Sequence, residues 1–174
     1  MKNSIVLLIL CTILIQVSCS NTTASSTTTE PGTNMASTPS KQSDKWTVIT
    51  SSNQCGIEEK KQVVVKTQAE FDNLWAKCFQ NMPPPVNKPN IDFSKDWVIG
   101  VFLGTMNSGG HSVTIDDITS SDSGTTVSLT HAAPGKNCAA TMAIEFPYII
   151  ASIPHFSTQK TDFNITEKIV DCKE

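Results

Sequence analysis

The feature that most constrains the fold is an uninterrupted apolar run, WVIGVFL, at residues 97–103. A strand with one face in water alternates apolar and polar side chains, whereas a strand that is covered on both faces reads as continuously apolar. The run therefore predicts a central strand that is buried on both faces of its sheet.

The residues that begin at Thr67 have the pattern of an amphipathic α-helix. Thr67 and Glu70 have capping-box spacing, in which the hydroxyl and the carboxylate each accept from an otherwise unpaired backbone N–H. Apolar residues then recur at helical spacing, and prolines at 83–85 end the segment. The stripe consists of Phe71, Leu74, Trp75 and Cys78. We predict a helix from about Thr67 to Cys78 that packs on a sheet.

Most of the remaining chain has the composition and alternation of β-strands separated by short polar turns. Pro147 is expected at a bulge or at the start of a strand. Phe163 and Ile165 belong to a last strand that closes the sheet, and Ser123-Gly124 marks a turn. The fold class is therefore predicted as α+β, with a mainly antiparallel, curled sheet of barrel- or sandwich-like form and one packed helix. The predicted strands are residues 45–51, 62–66, 97–103, 112–118, 125–131 and 142–153.

The start of the chain reads as an export signal. An apolar run follows Lys2 and is shorter than the roughly 20 residues that span a bilayer, so residues 1–19 are predicted to be a signal peptide. A small residue directly before Cys19 resembles the bacterial lipobox, which predicts that lipid is attached to Cys19 and anchors the chain to a membrane. Gln16 stands where that motif has an aliphatic residue. The alternative is cleavage after Ser20, which would release a soluble secreted protein.

The rest of the chain divides into a polar segment and one domain. Residues 20–43 are rich in Ser and Thr and bury too little apolar surface to fold, so they are predicted to be a disordered tether. Residues 44–174 have the size of a single domain. The net charge is -3 and all 13 basic side chains are lysines. Because arginine dominates phosphate and base recognition, nucleic-acid binding is not expected.

Four cysteines lie in the predicted domain: Cys55, Cys78, Cys138 and Cys172. An even number in an exported domain indicates two disulfides. None of them has Cys-x-x-Cys spacing, so a metal site is not indicated. Three pairings are possible, and we favour Cys55–Cys172 with Cys78–Cys138, since each then closes a long loop.

Three stretches resemble the C-terminal domain of the PrcB family. They are AEFDNLWAKC at 69–78, IDFSKDWVIGVFLGTMNSGGHSVTI at 91–115 and FPYIIASIP at 146–154. The family shows a DFS-like turn, a V-x-V-F-L-G-like strand, a Gly-Gly-Tyr-like turn and a late P-Y strand in this order. The resemblance covers roughly residues 63–154. The position after the paired glycines is usually aromatic in the family, and here it is His111.

The resemblance implies a function for the domain. The founding member of the family is an exported lipoprotein subunit of a bacterial surface protease complex. The chain is therefore expected to be a non-catalytic binding protein, an accessory or stabilising partner of an extracytoplasmic protease. Two alternatives remain: a direct protease inhibitor that inserts the Ser108–His111 turn into an active-site cleft, and a hydrolase with an unrecognised site. The family offers no established catalytic residues to carry over.

The candidate interaction loop is Asn107, Ser108, Gly109, Gly110 and His111. Paired glycines allow positive φ and close approach of the backbone, so the loop can present N–H groups to a partner. The competing interpretation is a hairpin turn that needs glycine for its geometry alone.

No motif for a catalytic serine or a zinc peptidase is present in the sequence. The three histidines, His111, His131 and His155, match no metal-binding spacing. We therefore predict no enzyme activity, no cofactor and no metal site. His111 is expected to titrate on a surface loop.

Overall fold

The computed structural model describes residues 46–80, 82, 88–156 and 160–172. The predicted signal peptide, the tether and the lipidation candidate Cys19 lie outside these residues. Among the described residues, no helix has the length and apolar character that crossing a membrane requires.

The described residues form seven strands and one helix, and the predicted positions are confirmed to within a few residues, except that the strand predicted from residue 142 begins only at Tyr148. Pro147 directly precedes the strand that begins at Tyr148, and Ser123 belongs to the tight turn between the strand that ends at Ser121 and the one that begins at Gly124, as expected. The elements are β1 Thr47–Ser52, β2 Lys60–Val65, α1 Gln68–Phe79, β3 Asp96–Leu103, β4 Ser112–Ser121, β5 Gly124–Pro134, β6 Tyr148–Pro154 and β7 Thr161–Val170.

The strands form two sheets that are not closed into a barrel. The first has four antiparallel strands in the order β1-β6-β3-β2, and the second has three strands in the order β4-β5-β7. The α+β class and the sandwich-like alternative are confirmed. The strands are not all joined to their sheet neighbours by short turns, because β3 leads into the other sheet and β7 pairs with β5 in parallel.

Strand β3 is buried on both faces, as the apolar run predicted. Trp97, Ile99 and Val101 face the second sheet and share a core with β4, β5 and β6. Val98 and Phe102 face the opposite way and pack in a second core with α1. The described part of the chain thus has three layers, helix, four-stranded sheet and three-stranded sheet, and β3 belongs to both cores.

Helix α1 begins with the predicted capping box. The Thr67 hydroxyl accepts from the Glu70 N–H at 3.3 Å, and a Glu70 carboxylate oxygen accepts from the Thr67 N–H at 3.1 Å. The pKa of Glu70 is lowered, chiefly because its carboxylate also accepts from the Lys66 backbone N–H. Of the predicted stripe, three residues are buried against the sheet and Trp75 is half-buried at its margin. The helix prediction is confirmed.

The four domain cysteines form two disulfides, but the pairing that we favoured is wrong. The bonds are Cys55–Cys78 and Cys138–Cys172, with Cα atoms 4.7 and 5.1 Å apart. The first joins the segment after β1 to the end of α1, where the Gly56 N–H also donates to the Cys78 carbonyl at 2.7 Å. The second forms because β5 and β7 are parallel, so the residues that follow the two strands meet at one end of the sheet.

Candidate functional site

The candidate loop lies in the connection that carries the chain from one sheet to the other. It follows β3 and precedes β4, so it is not the hairpin turn considered above. The connection is braced by the segment before β6. Met106 and Glu145 exchange backbone hydrogen bonds, with N···O distances of 2.8 and 3.0 Å. The loop is therefore a packed part of the domain.

Both glycines of the loop have a geometric role. Gly109 is buried and donates its N–H to the Thr141 carbonyl at 2.9 Å. A Cβ atom at Gly109 would stand 2.1 Å from the Thr141 hydroxyl, so any side chain here would force Thr141 to shift. Gly110 has a φ of +93°, a backbone conformation that favours glycine. In the loop, Asn107 and Gly110 are the exposed residues.

A chain of polar side chains links the loop to the second sheet. The Ser108 hydroxyl lies 3.4 Å from His111 Nε2, and His111 Nδ1 lies 3.0 Å from His131 Nε2. His131 Nδ1 is 3.9 Å from a carboxylate oxygen of Glu167. His111 therefore does not stand alone on a surface loop, because its ring contacts a second imidazole.

The strand register explains why His131 and Glu167 meet. On β5 the core-facing positions include Leu129, and the next position of the same alternation is His131. On β7 Ile165 packs against the same core, and the next position is Glu167. His131 and Glu167 are direct partners in the parallel pairing. Side chains alternate between the two faces of a strand, so the sequence could have predicted that His131 and Glu167 lie on the core-facing side, at the end of the core.

Burial shifts the titration of His131. Its side chain is 13% exposed, and its pKa is lowered first by desolvation and then by the neighbouring His111, while Glu167 acts in the opposite direction.

The third histidine, His155, does not belong to this chain of polar side chains. It packs on Trp97, near the beginning of β3, with ring centroids 4.5 Å apart. Within the described ranges, no group of three or more His, Cys, Asp or Glu residues is placed to hold a metal ion.

Exposed apolar side chains occur on two segments next to the loop, and the sequence analysis did not single them out. Met142 is 100% and Ile144 59% exposed, in the segment that braces Gly109. Ile169 and Val170, at the end of β7, are 56% and 45% exposed. A cavity of about 220 Å³ opens between these segments. Its walls include Gly109, Gly110, Pro134, Ala140, Thr141 and Val170. We call the candidate loop, these cavity walls and the exposed Met142 and Ile144 together the loop face.

A larger groove, about 700 Å³, lies elsewhere, between β2 and α1. Val63 and Leu74 contribute apolar walls, while Glu58, Lys61 and Lys77 bring charges of both signs. None of the five candidate loop residues lines this groove. Its mixed charge does not define a ligand, so the loop face is the better candidate for a functional site.

The comparisons with known proteins give one match. The family model described as PrcB C-terminal matches residues 97–154. This confirms the resemblance seen in the sequence over the segment that contains β3 to β6 and the candidate loop. No match was found to a curated protein or to a solved structure.

The close approach at Gly109 can be tested by mutation. Gly109→Ala is expected to lower the free energy of unfolding by about 1–3 kcal/mol, because the new Cβ overlaps the Thr141 side chain. The double variant Gly109→Ala/Thr141→Ala is expected to recover most of this loss, measured by urea unfolding. Gly110→Ala should also lower stability, but because of the positive φ at this position. Adding Thr141→Ala to Gly110→Ala should therefore not restore the lost stability. A Gly109→Ala cost that Thr141→Ala leaves unchanged would contradict the packing described.

Proposed function

We propose that this protein is a non-catalytic, exported binding protein that serves as an accessory subunit of an extracytoplasmic protease and supports its folding or stability. The observation that carries the proposal is the PrcB C-terminal match at residues 97–154. The family resemblance implies a protease-complex subunit, and the matched segment includes the candidate loop and the exposed Met142 and Ile144.

The partner is proposed to dock on the loop face. Exposed apolar side chains next to polar groups are typical of protein–protein interfaces. Met142 and Ile144 project from a segment that is held by backbone hydrogen bonds to the loop, so they are presented on a braced support. A lipid on Cys19 and the tether at residues 20–43 would hold this face near the cell envelope. These two features are part of the proposal.

The braced loop favours docking over insertion into a protease active site. An inhibitory loop needs exposed backbone that can pair with the enzyme. Here Gly109 is buried and its N–H already donates to the Thr141 carbonyl. Insertion would require that bond to break. We therefore favour the accessory function over direct inhibition.

A second candidate function is hydrolysis, and the contacts of Ser108 favour it. A hydroxyl on one imidazole nitrogen, with the other nitrogen bonded to an orienting group, is the arrangement of an activated nucleophile. Ser108, His111 and His131 have this order, with distances of 3.4 and 3.0 Å. An oxyanion would also need free N–H donors, and the Gly109 N–H is engaged by Thr141. A fluorophosphonate probe that labels the protein but not Ser108→Ala would support this candidate; absence of labelling would reject it.

The accessory function is tested by affinity purification of the full chain, expressed with its own leader in its natural host. We expect a protease to co-purify, and protease abundance to fall when the chain is deleted. Met142→Ser/Ile144→Ser should lower recovery of the protease at least about tenfold, because each buried apolar side chain contributes about 1.5–3 kcal/mol. Lys61→Ser/Lys77→Ser, in the groove between β2 and α1, is the matched control and should leave recovery unchanged. Protease abundance that does not depend on the chain would refute the proposal.

A further inference from the structure

The two imidazoles of His111 and His131 form the side-chain hydrogen bond between the candidate loop and β5. Their nitrogens are 3.0 Å apart and their ring centroids 5.3 Å apart. A hydrogen bond between two imidazoles needs one nitrogen with a proton and one without. The contact therefore exists when both rings are neutral, and also when the pair carries one extra proton.

A second extra proton changes the contact from attraction to repulsion. Both facing nitrogens then carry a proton, and two positive charges stand at hydrogen-bond distance. Since His131 is largely buried, water screens this repulsion poorly. The loop side of the pair is the side that would yield, and doing so would break the bond from the Gly109 N–H to the Thr141 carbonyl. The β5 side is fixed between β4 and β7.

The charged groups around the pair set the pH at which this happens. Glu167, on β7, faces His131 Nδ1 and favours the protonated ring, whereas Lys60, on β2, disfavours it. On the loop side, the neutral Ser108 hydroxyl meets His111 Nε2. Beside Gly109, the Glu145 carboxylate has one oxygen that is buried and lacks a hydrogen-bond partner among the described residues.

We propose that the His111–His131 pair is a pH-sensitive latch, which holds residues 107–111 against β5 at neutral pH and releases them in acid. The latch would weaken partner docking on the loop face as the pH falls, and this part rests on the proposed function. The direction follows from linkage. A histidine whose pKa is lowered in the folded state, as it is for His131, stabilises the closed form above the ordinary imidazole pKa of about 6.5. That contribution is lost as the pH falls through the lowered value.

The latch is tested on the full purified chain by amide hydrogen exchange followed by NMR. The Gly109 N–H, bonded to the Thr141 carbonyl, reports on the loop, and the Leu103 N–H, bonded to the Pro147 carbonyl, is the internal reference. After correction for intrinsic exchange, protection of Gly109 should fall at least about tenfold more than that of Leu103 between pH 7.5 and pH 5. Equal changes at the two amides would overturn the proposal.

Variants assign the effect to the pair. His131→Gln keeps a polar partner that does not titrate, so it should abolish the extra pH dependence at Gly109. His155→Gln removes the third histidine, which lies against Trp97, and should preserve it. A response that survives in His131→Gln would overturn the proposal.

If His131→Gln does not fold, the ring proton signals of the unmodified chain decide. Two coupled titration steps support the latch, and independent titrations of His111 and His131 overturn it. Hydrogen exchange and ring titration are measured without a protease. The latch can therefore be confirmed or rejected even if the proposed accessory function is wrong.

Discussion

Replacing Phe71 with alanine is expected to lower the free energy of unfolding by about 3–5 kcal/mol. The Phe71 side chain is 0% exposed and lies in the core between α1 and the four-stranded sheet. Its ring packs edge-on against Trp75 at 5.6 Å and lies 6.2 Å from that of Phe93. Alanine would leave a cavity beneath the helix, which the sheet cannot fill without moving.

Urea unfolding followed by tryptophan fluorescence measures this loss. The matched control is Asn73→Ala, an exposed position on the same helix, which should change stability by less than about 0.5 kcal/mol. A Phe71→Ala loss below about 1 kcal/mol would mean that α1 does not cover the sheet as described.

Removing the Cys55–Cys78 disulfide is expected to cost about 3 kcal/mol. In the chain-entropy account, a bond that closes a loop of 23 residues restricts the unfolded state by about this amount. Both cysteines are also buried, at 4% and 0% exposure, so their replacement by alanine removes core contacts as well. The double variant Cys55→Ala/Cys78→Ala tests this by urea unfolding.

The other disulfide provides the comparison. Cys172 is exposed and Cys138 half-buried, so mild reductant should open Cys138–Cys172 first and leave Cys55–Cys78 intact. Peptide mapping without reduction distinguishes the two bonds. A peptide that joins Cys55 to Cys172 would contradict the structure, as would a loss of less than about 1 kcal/mol in the Cys55→Ala/Cys78→Ala variant.

The features that could be predicted from the sequence, helix α1 and the buried strand β3, are those that depend on local patterns. The helix is marked by a capping box and a stripe that involve residues a few positions apart, and both are present as expected. The burial of β3 on two faces follows from its uninterrupted apolar side chains. These features depend on short-range periodicity, which can be read from one sequence.

The features that the sequence did not reveal depend on contacts between distant segments. The parallel pairing of β5 with β7 brings Cys138 next to Cys172, and nothing local to either cysteine indicates it. The contact between His111 and His131 likewise depends on how the loop folds back on β5. His131 did carry a signal, since it continues the core-facing alternation of its strand, whereas His111 carried none beyond its position after two glycines.

The double burial of β3 has a consequence for how the domain is divided. The segment delimited by homology, residues 97–154, includes β3 but excludes β1, β2, α1 and β7. Cut out alone, it would expose the helix-facing side of β3 to water and would leave β5 with an unpaired edge. The recognisable unit is therefore smaller than the smallest polypeptide that we expect to fold, and a recombinant fragment designed on homology alone would be prone to aggregate.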